Sequence, residues 1–316
     1  MIVKMSMGII GGLGLFLLGM HMMSEGLHKV AGDKLRRFLE LLTFNRFAAV
    51  LTGFIITAAI QSSSATTVMV VGFVNAGLMT LTQAVGTILG ANIGTTVTGQ
   101  IISFDIAGFA LPAIALGVVL YVFVNKRMYK NIGESILGFG ILFLGISIMG
   151  DALDGIKEFP QVINLLGQFG QRPILGLLAG MLFTSLVQSS SATTAVIITL
   201  VGQGVLDLNG AMPLVLGSNI GTCITAMLAS IGTGLNARRA AVAHLMFNVL
   251  GVLCFLIILK PFTIFIQGLS TAIPRQVAWG HTLFNVSNTL LFLPFLNQFV
   301  KLITKIVPGT EEIFET

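Results

Sequence analysis

Seven consecutive residues, Gln61-Ser62-Ser63-Ser64-Ala65-Thr66-Thr67, carry six side chains that hydrogen-bond and none that ionises. The same seven recur as Gln188-Ser189-Ser190-Ser191-Ala192-Thr193-Thr194. A second pair follows about 30 residues behind each: Gly90-Ala91-Asn92-Ile93-Gly94-Thr95 and Gly217-Ser218-Asn219-Ile220-Gly221-Thr222. Both motifs return at one spacing, 127 residues. Hydroxyls and carboxamides offer donors and neutral oxygens. They suit the binding of a small anion or a hard cation better than acid–base work.

The surroundings of these residues are apolar. Hydrophobic residues make up 55% of the 316, and charged residues only 9%; the mean hydropathy is +0.96. A soluble domain carries about 25% charge, so the solvent of this chain is largely lipid. At that depth an unpaired polar group costs several kcal/mol. The Gln-Ser-Ser-Ser clusters must therefore face protein, water or a ligand. Small-residue helix packing is the alternative, but it does not explain a cluster repeated in both halves. For Asn92-Ile93-Gly94-Thr95-Thr96 and Asn219-Ile220-Gly221-Thr222-Cys223, glycine tolerates unwinding, and carbonyls released there would join the Asn and Thr oxygens as ligands suited to Na⁺. A glycine-kinked packing helix is the other reading.

The apolar runs predict an all-α, polytopic membrane protein with spans at 7–28, 83–102, 107–125, 132–150, 210–231, 240–260 and 279–300, each near the ~20 residues a crossing needs. The first run follows Lys4 and resembles a signal peptide, but its pattern recurs later, which favours a transmembrane helix. Residues 47–79 and 173–206 differ. As helix, the first is about 50 Å long, short of the roughly 60 Å of two crossings. They read as re-entrant hairpins with the polar motifs at their tips, or else as two long tilted crossings. Leu18-Gly19 and Glu25 match Leu144-Gly145 and Asp151 at a spacing of 126. The domains are therefore a first repeat 1–128 (hairpin 47–79, broken helix 83–102), a second repeat 129–260 (hairpin 173–206, broken helix 210–231), an extra helix within 261–305 and a tail 306–316.

Basic residues alternate between matching loops. Loop 29–46 holds Lys29, Lys34, Arg36, Arg37 and Arg46, while 155–172 holds only Lys157 and Arg172. Loop 103–108 has none, while 232–239 has Arg238 and Arg239. Two copies inserted in opposite orientation produce this pattern. With basic loops in the cytoplasm, the amino terminus is outside and the carboxyl terminus inside. The net charge of +5 thus reports orientation, not nucleic acid. Cys223 and Cys254 lie in apolar runs and suggest neither disulfide framework nor metal site.

No acid, lysine or arginine falls at mid-span. A buried carboxylate for an organic cation or a proton pump is missing. Two helix N-termini supply roughly half a charge each, whereas phosphate carries about −1.5 to −2; co-bound cations would close that gap. His244 and His281, in similar segments, read as a gate or pH sensor, or as satisfied interhelical bonds. Glu25 and Asp151 suit capping or interface roles better than ion ligation.

The doubled Gln-Ser-Ser-Ser motif, each copy followed by Asn-Ile-Gly-Thr, resembles the type II sodium/phosphate cotransporter family over residues 8–300. The resemblance implies Na⁺-coupled symport of inorganic phosphate across the plasma membrane by alternating access, with Na⁺ as coupling ion. It implies a phosphate pocket lined by Gln61, Ser62, Ser63 and Ser64 on one side and Gln188, Ser189, Ser190 and Ser191 on the other. Thr66, Asn92, Thr95, Thr193, Asn219 and Thr222 are then the sodium ligands, and Cys223 breaks the match to Thr96. The chain ends soon after Lys305, so the regulatory domain of many bacterial relatives is expected to be absent or on another chain. A homodimer is expected by analogy with elevator-type transporters. A carrier of sulfate or a dicarboxylate remains the alternative. An intramembrane serine hydrolase lacks the Gly-x-Ser-x-Gly turn, so no enzymatic activity is expected; a channel would pass ions without phosphate.

Overall fold

Each polar motif ends one helix and begins the next. Gln61 stands at φ 57°, ψ 26° and Gln188 at φ 58°, ψ 26°, the left-handed conformation that stops a helix. Ser62 and Ser189 return to extended backbone, and their hydroxyls accept from Ala65 N and Ala192 N, both at 3.2 Å. That satisfies one orphan donor of each new helix. The computed structural model describes residues 2–31, 45–104 and 107–309; Lys34, Arg36, Arg37 and the tail from residue 310 lie outside the described residues. The first motif joins α2 (Arg46–Ile60) to α3 (Ser63–Asn75). After α1 (Ile2–Ala31), this is the first hairpin.

The arms fold back sharply. Thr57 donates to Thr66 Oγ1 at 2.9 Å across nine residues, which a continuous helix would hold about 13 Å apart. The arms therefore double over at the tip, as the hairpin reading requires. The second hairpin repeats this with Thr184 and Thr193, whose hydroxyls meet at 2.6 Å.

The first arm of each hairpin lies against the helix that follows the hairpin. A Cβ on Gly53 would strike the Thr87 carbonyl of α4 (Leu81–Ile102), and one on Gly90 the Val50 carbonyl. Only glycine allows this approach. The helix α4 runs unbroken through Asn92–Thr95, so the unwound stretch expected there is absent. The polar side chains satisfy themselves along the helix: Asn92 Nδ2 donates to Ile88 O and Thr95 to Ala91 O. Gly94 serves close packing instead, because a Cβ there would press on Thr57.

Continuing along the chain, α5 (Ala110–Val118) ends in a π-helical turn, Val119–Phe123, shorter than the expected 107–125. The long α6 (Arg127–Asp154) packs antiparallel on α1. Gly12 meets Gly145, and Gly19 meets Gly138. Residues 155–172, expected as a loop, contain the amphipathic helix α7 (Pro160–Gln171). It bends by 110° into α8 (Pro173–Val187), because Pro173 restricts Arg172 away from helical backbone. The second hairpin is α8 with α9 (Ser190–Gly202).

Beyond it, α10 (Leu208–Gly221) and α11 (Cys223–Ala229) form one span interrupted only at Thr222. Then follow α12 (Leu235–Ile257), the short unexpected α13 (Leu259–Gln267), α14 (Ile273–Phe292) and α15 (Leu296–Ile306). Among the described residues five helices are long and apolar enough to cross a membrane, or six if the bent pair counts as one, and no strand is present. Local features also recur at the motif spacing. Thr80 and Asp207 cap α4 and α10, and Gly77 (φ 71°) and Gly204 (φ 67°) make the same turn.

Candidate functional site

The two tips meet. Ser64 Oγ lies 3.5 Å from the Gln188 carbonyl and 3.5 Å from Thr225 Oγ1. Between them is a cavity of about 180 Å³ lined by Gln61, Ser62, Ser63, Ser64, Gln188, Ser189, Ser190 and Ser191, with Met20, His21 and Ser24 of α1. All eight residues expected to form a pocket are thus brought to one place.

Three features suit this cavity to a small anion. The N-termini of α3 and α9 both begin in it, with first-turn N–H groups that lack intrahelical acceptors and positive dipole ends. The six serines of the tips bring hydroxyls that can donate. The Gln188 side chain is exposed and has no partner among the described residues, so its amide is free for a ligand. No carboxylate of the described residues lines the cavity to repel one.

The two tips are not in the same state. Thr98 Oγ1 donates to Gln61 Oε1 at 2.9 Å, and Gln61 Nε2 donates to Ala58 O, which leaves Gln61 buried. Thr225 stands at the matching place in the second half but donates to Thr222 O at 2.8 Å and approaches Ser64 instead of Gln188. The first tip is also held by Ser24 of α1, whose hydroxyl donates to Ile60 O at 2.6 Å.

None of Thr66, Asn92, Thr95, Thr193, Asn219 and Thr222 lines the cavity. They sit buried one layer behind it. Thr66 and Thr193 lock the arms of the hairpins, and the two Asn-Ile-Gly-Thr segments pass beside those threonines, where Cβ atoms on Gly94 and Gly221 would press on Thr57 and Thr184. Five of the six donate a hydrogen along their own helix. Thr66 donates to Ser62 O, Thr193 to Ser189 O and Asn219 Nδ2 to Val215 O. Oxygen lone pairs remain.

His244 Nε2 reaches Asn92 Oδ1 across helices at 3.4 Å, while the Nδ1 atoms of His244 and His281 have no partner among the described residues. Glu25 lies 3.6 Å from Lys29 on the same helix, and it is Lys29 that crosses to buried Glu134 at 2.9 Å. His21 and Ser24 were not singled out by sequence reasoning. Their signal was a histidine and a serine inside the first apolar run.

The Na⁺/Pi-cotransporter family model matches residues 15–151 and again 157–294. The uncharacterized protein YqeW of Bacillus subtilis is 36% identical over 294 residues, 93% of this chain and 95% of that protein. The putative inorganic phosphate export protein YjbB of Salmonella typhimurium is 29% identical over 262 residues, 83% of this chain and 48% of its own length. Human sodium-dependent phosphate transport protein 2C is 32% identical over 166 residues, 48% of this chain and 25% of its own. The chain thus spans nearly all of YqeW but about half of YjbB. No solved structure matches.

Proposed function

The chain belongs to the Na⁺/Pi-cotransporter family, and from that premise we propose that it is a secondary active transporter that couples inorganic phosphate to Na⁺. The observation that carries this reading is the meeting of both Gln-Ser-Ser-Ser tips, each with a helix N-terminus, around one cavity with no carboxylate in its described lining. Phosphate in that cavity hydrogen-bonds to the serine hydroxyls, the Gln188 amide and first-turn N–H groups.

Sodium supplies the charge that two helix ends leave unbalanced. The oxygens of Thr66, Asn92, Thr95, Thr193, Asn219 and Thr222 are the proposed ligands, supported by their lone pairs and their place behind the tips. The direction of phosphate movement follows the gradients. YjbB is named for export and the human protein for sodium dependence, and one coupled carrier accommodates both.

The halves are proposed to be inverted in the plasma membrane, amino terminus outside and carboxyl terminus inside. The antiparallel contacts of α1 and α6 support this. Gly12 and Gly138 are matched positions, as are Gly19 and Gly145, and each meets the other's match. Such reciprocity is what a two-fold axis produces. Alternating access then exchanges the engaged and free states of the two tips. Pairing of two copies through the scaffold completes the proposal.

Uptake of radiolabelled phosphate into proteoliposomes, with and without an inward Na⁺ gradient, tests it. Concentrative uptake that needs Na⁺ and resists excess sulfate and succinate is the expected result. Uptake of a competitor instead would replace the substrate, and uptake indifferent to Na⁺ would remove the coupling.

A further inference from the structure

Helix α1 presents two faces. Gly12, Gly19 and Gly26 press on α6, while Met20, His21 and Ser24 face the hairpin tips and line their cavity. Among the described residues His21 is the only ionisable side chain in that lining, and it is exposed there. We propose that His21 is a direct ligand of the transported anion, so that the site has three sides: two tips and one face of α1. The inference rests on the reading of the cavity as a phosphate site.

The chemistry is specific. Serine hydroxyls and glutamine amides bring no charge, whereas an imidazolium brings a full positive charge and a charge-assisted donor. Histidine is the side chain that gains this charge between about pH 8 and 5. His21 has no match in the second half, where Ser147 stands 126 residues on, so the charge enters from one side only. Among the described residues, the charged groups on the elements around His21 are paired or distant. On α1, Glu25 pairs with Lys29, and Lys29 with Glu134 of α6; His28 is exposed about two turns away. Arg46, at the far end of α2, bonds the Pro294 carbonyl, and α3 and α9 carry no charged residue.

The test is phosphate binding to the full chain, in detergent, between about pH 5.5 and 8.5, for wild type, His21→Gln and the control His28→Gln. Phosphate titrates in the same range, so the quantity read is the affinity ratio of wild type to variant at each pH. For His21→Gln the ratio is expected to be about tenfold at the acid end and to fall toward about twofold or less at the alkaline end. His28→Gln stays at wild type. A ratio of one at every pH, with phosphate bound by the wild type, overturns the assignment of His21 alone. A wild type that binds no phosphate overturns the reading of the cavity and this inference with it. A constant, pH-independent loss makes His21 a neutral contact and overturns its charged role.

Discussion

Thr98 donates its hydroxyl hydrogen to Gln61 Oε1 at 2.9 Å. Its match Thr225 makes no such bond to Gln188, although the two glutamines share one backbone conformation. The difference between the halves therefore lies in side-chain engagement, not in the turn that carries the glutamines.

Thr98→Val leaves the buried Gln61 oxygen without its donor. The expected cost is about 1 kcal/mol or more, against less than about 0.5 kcal/mol for Thr225→Val. Thermal unfolding of both variants in one detergent checks this. Equal shifts would mean that both tips are engaged alike in solution.

Gln188→Ala removes a neutral hydrogen bond to phosphate, about 0.5–1.5 kcal/mol or roughly two- to tenfold in affinity, and Gln61→Ala does so only in the state in which Gln61 is released from Thr98 and Ala58. Gln61→Ala also loses the Thr98 contact, so only that variant should unfold earlier. Binding measured beside melting separates the two effects; wild-type affinity in both variants would take the glutamines out of the pocket.

Gln188→Gly tests the turn. A non-glycine residue in left-handed backbone is held there at a cost of about 1 kcal/mol or more, and Gln188 has no side-chain bond among the described residues to lose. The glycine variant is expected to melt at or above the wild-type temperature yet bind phosphate more weakly. A lower melting point would show that the Gln188 side chain supports the fold.

Gly90→Ala and Gly217→Ala each drive a methyl group into a backbone carbonyl of the hairpin alongside, at Val50 and Leu177. Backbone cannot step aside as a flexible side chain can, so a loss of about 3 kcal/mol or more is expected. Size-exclusion profiles after extraction should lose the monodisperse peak. Gly72→Ala, which meets open space, is the matched control and should keep it.

The composition alone required a lipid solvent, because a chain with 9% charged residues cannot cover a water-facing surface. The fixed spacing of the doubled motifs required two copies of one unit, and the run of residues 47–79, short for two crossings, favoured a hairpin over two tilted crossings. These inferences depend on length, periodicity and identity, which are properties of the chain itself. Three others were out of reach. Asn92–Thr95 stays helical because the Ile88 and Ala91 carbonyls accept its side chains, and the glycine that suggested unwinding serves the approach of α2. The helix α7 hid in an apparent loop because its alternation of polar and apolar residues fits no membrane span. His21 joined the site only when α1 was laid across the tips, since the side of a helix that meets a cavity is set by the packing of its opposite face. Sequence places His21 two residues beyond Gly19, but it is the seating of that glycine on α6 that turns the histidine toward the serines.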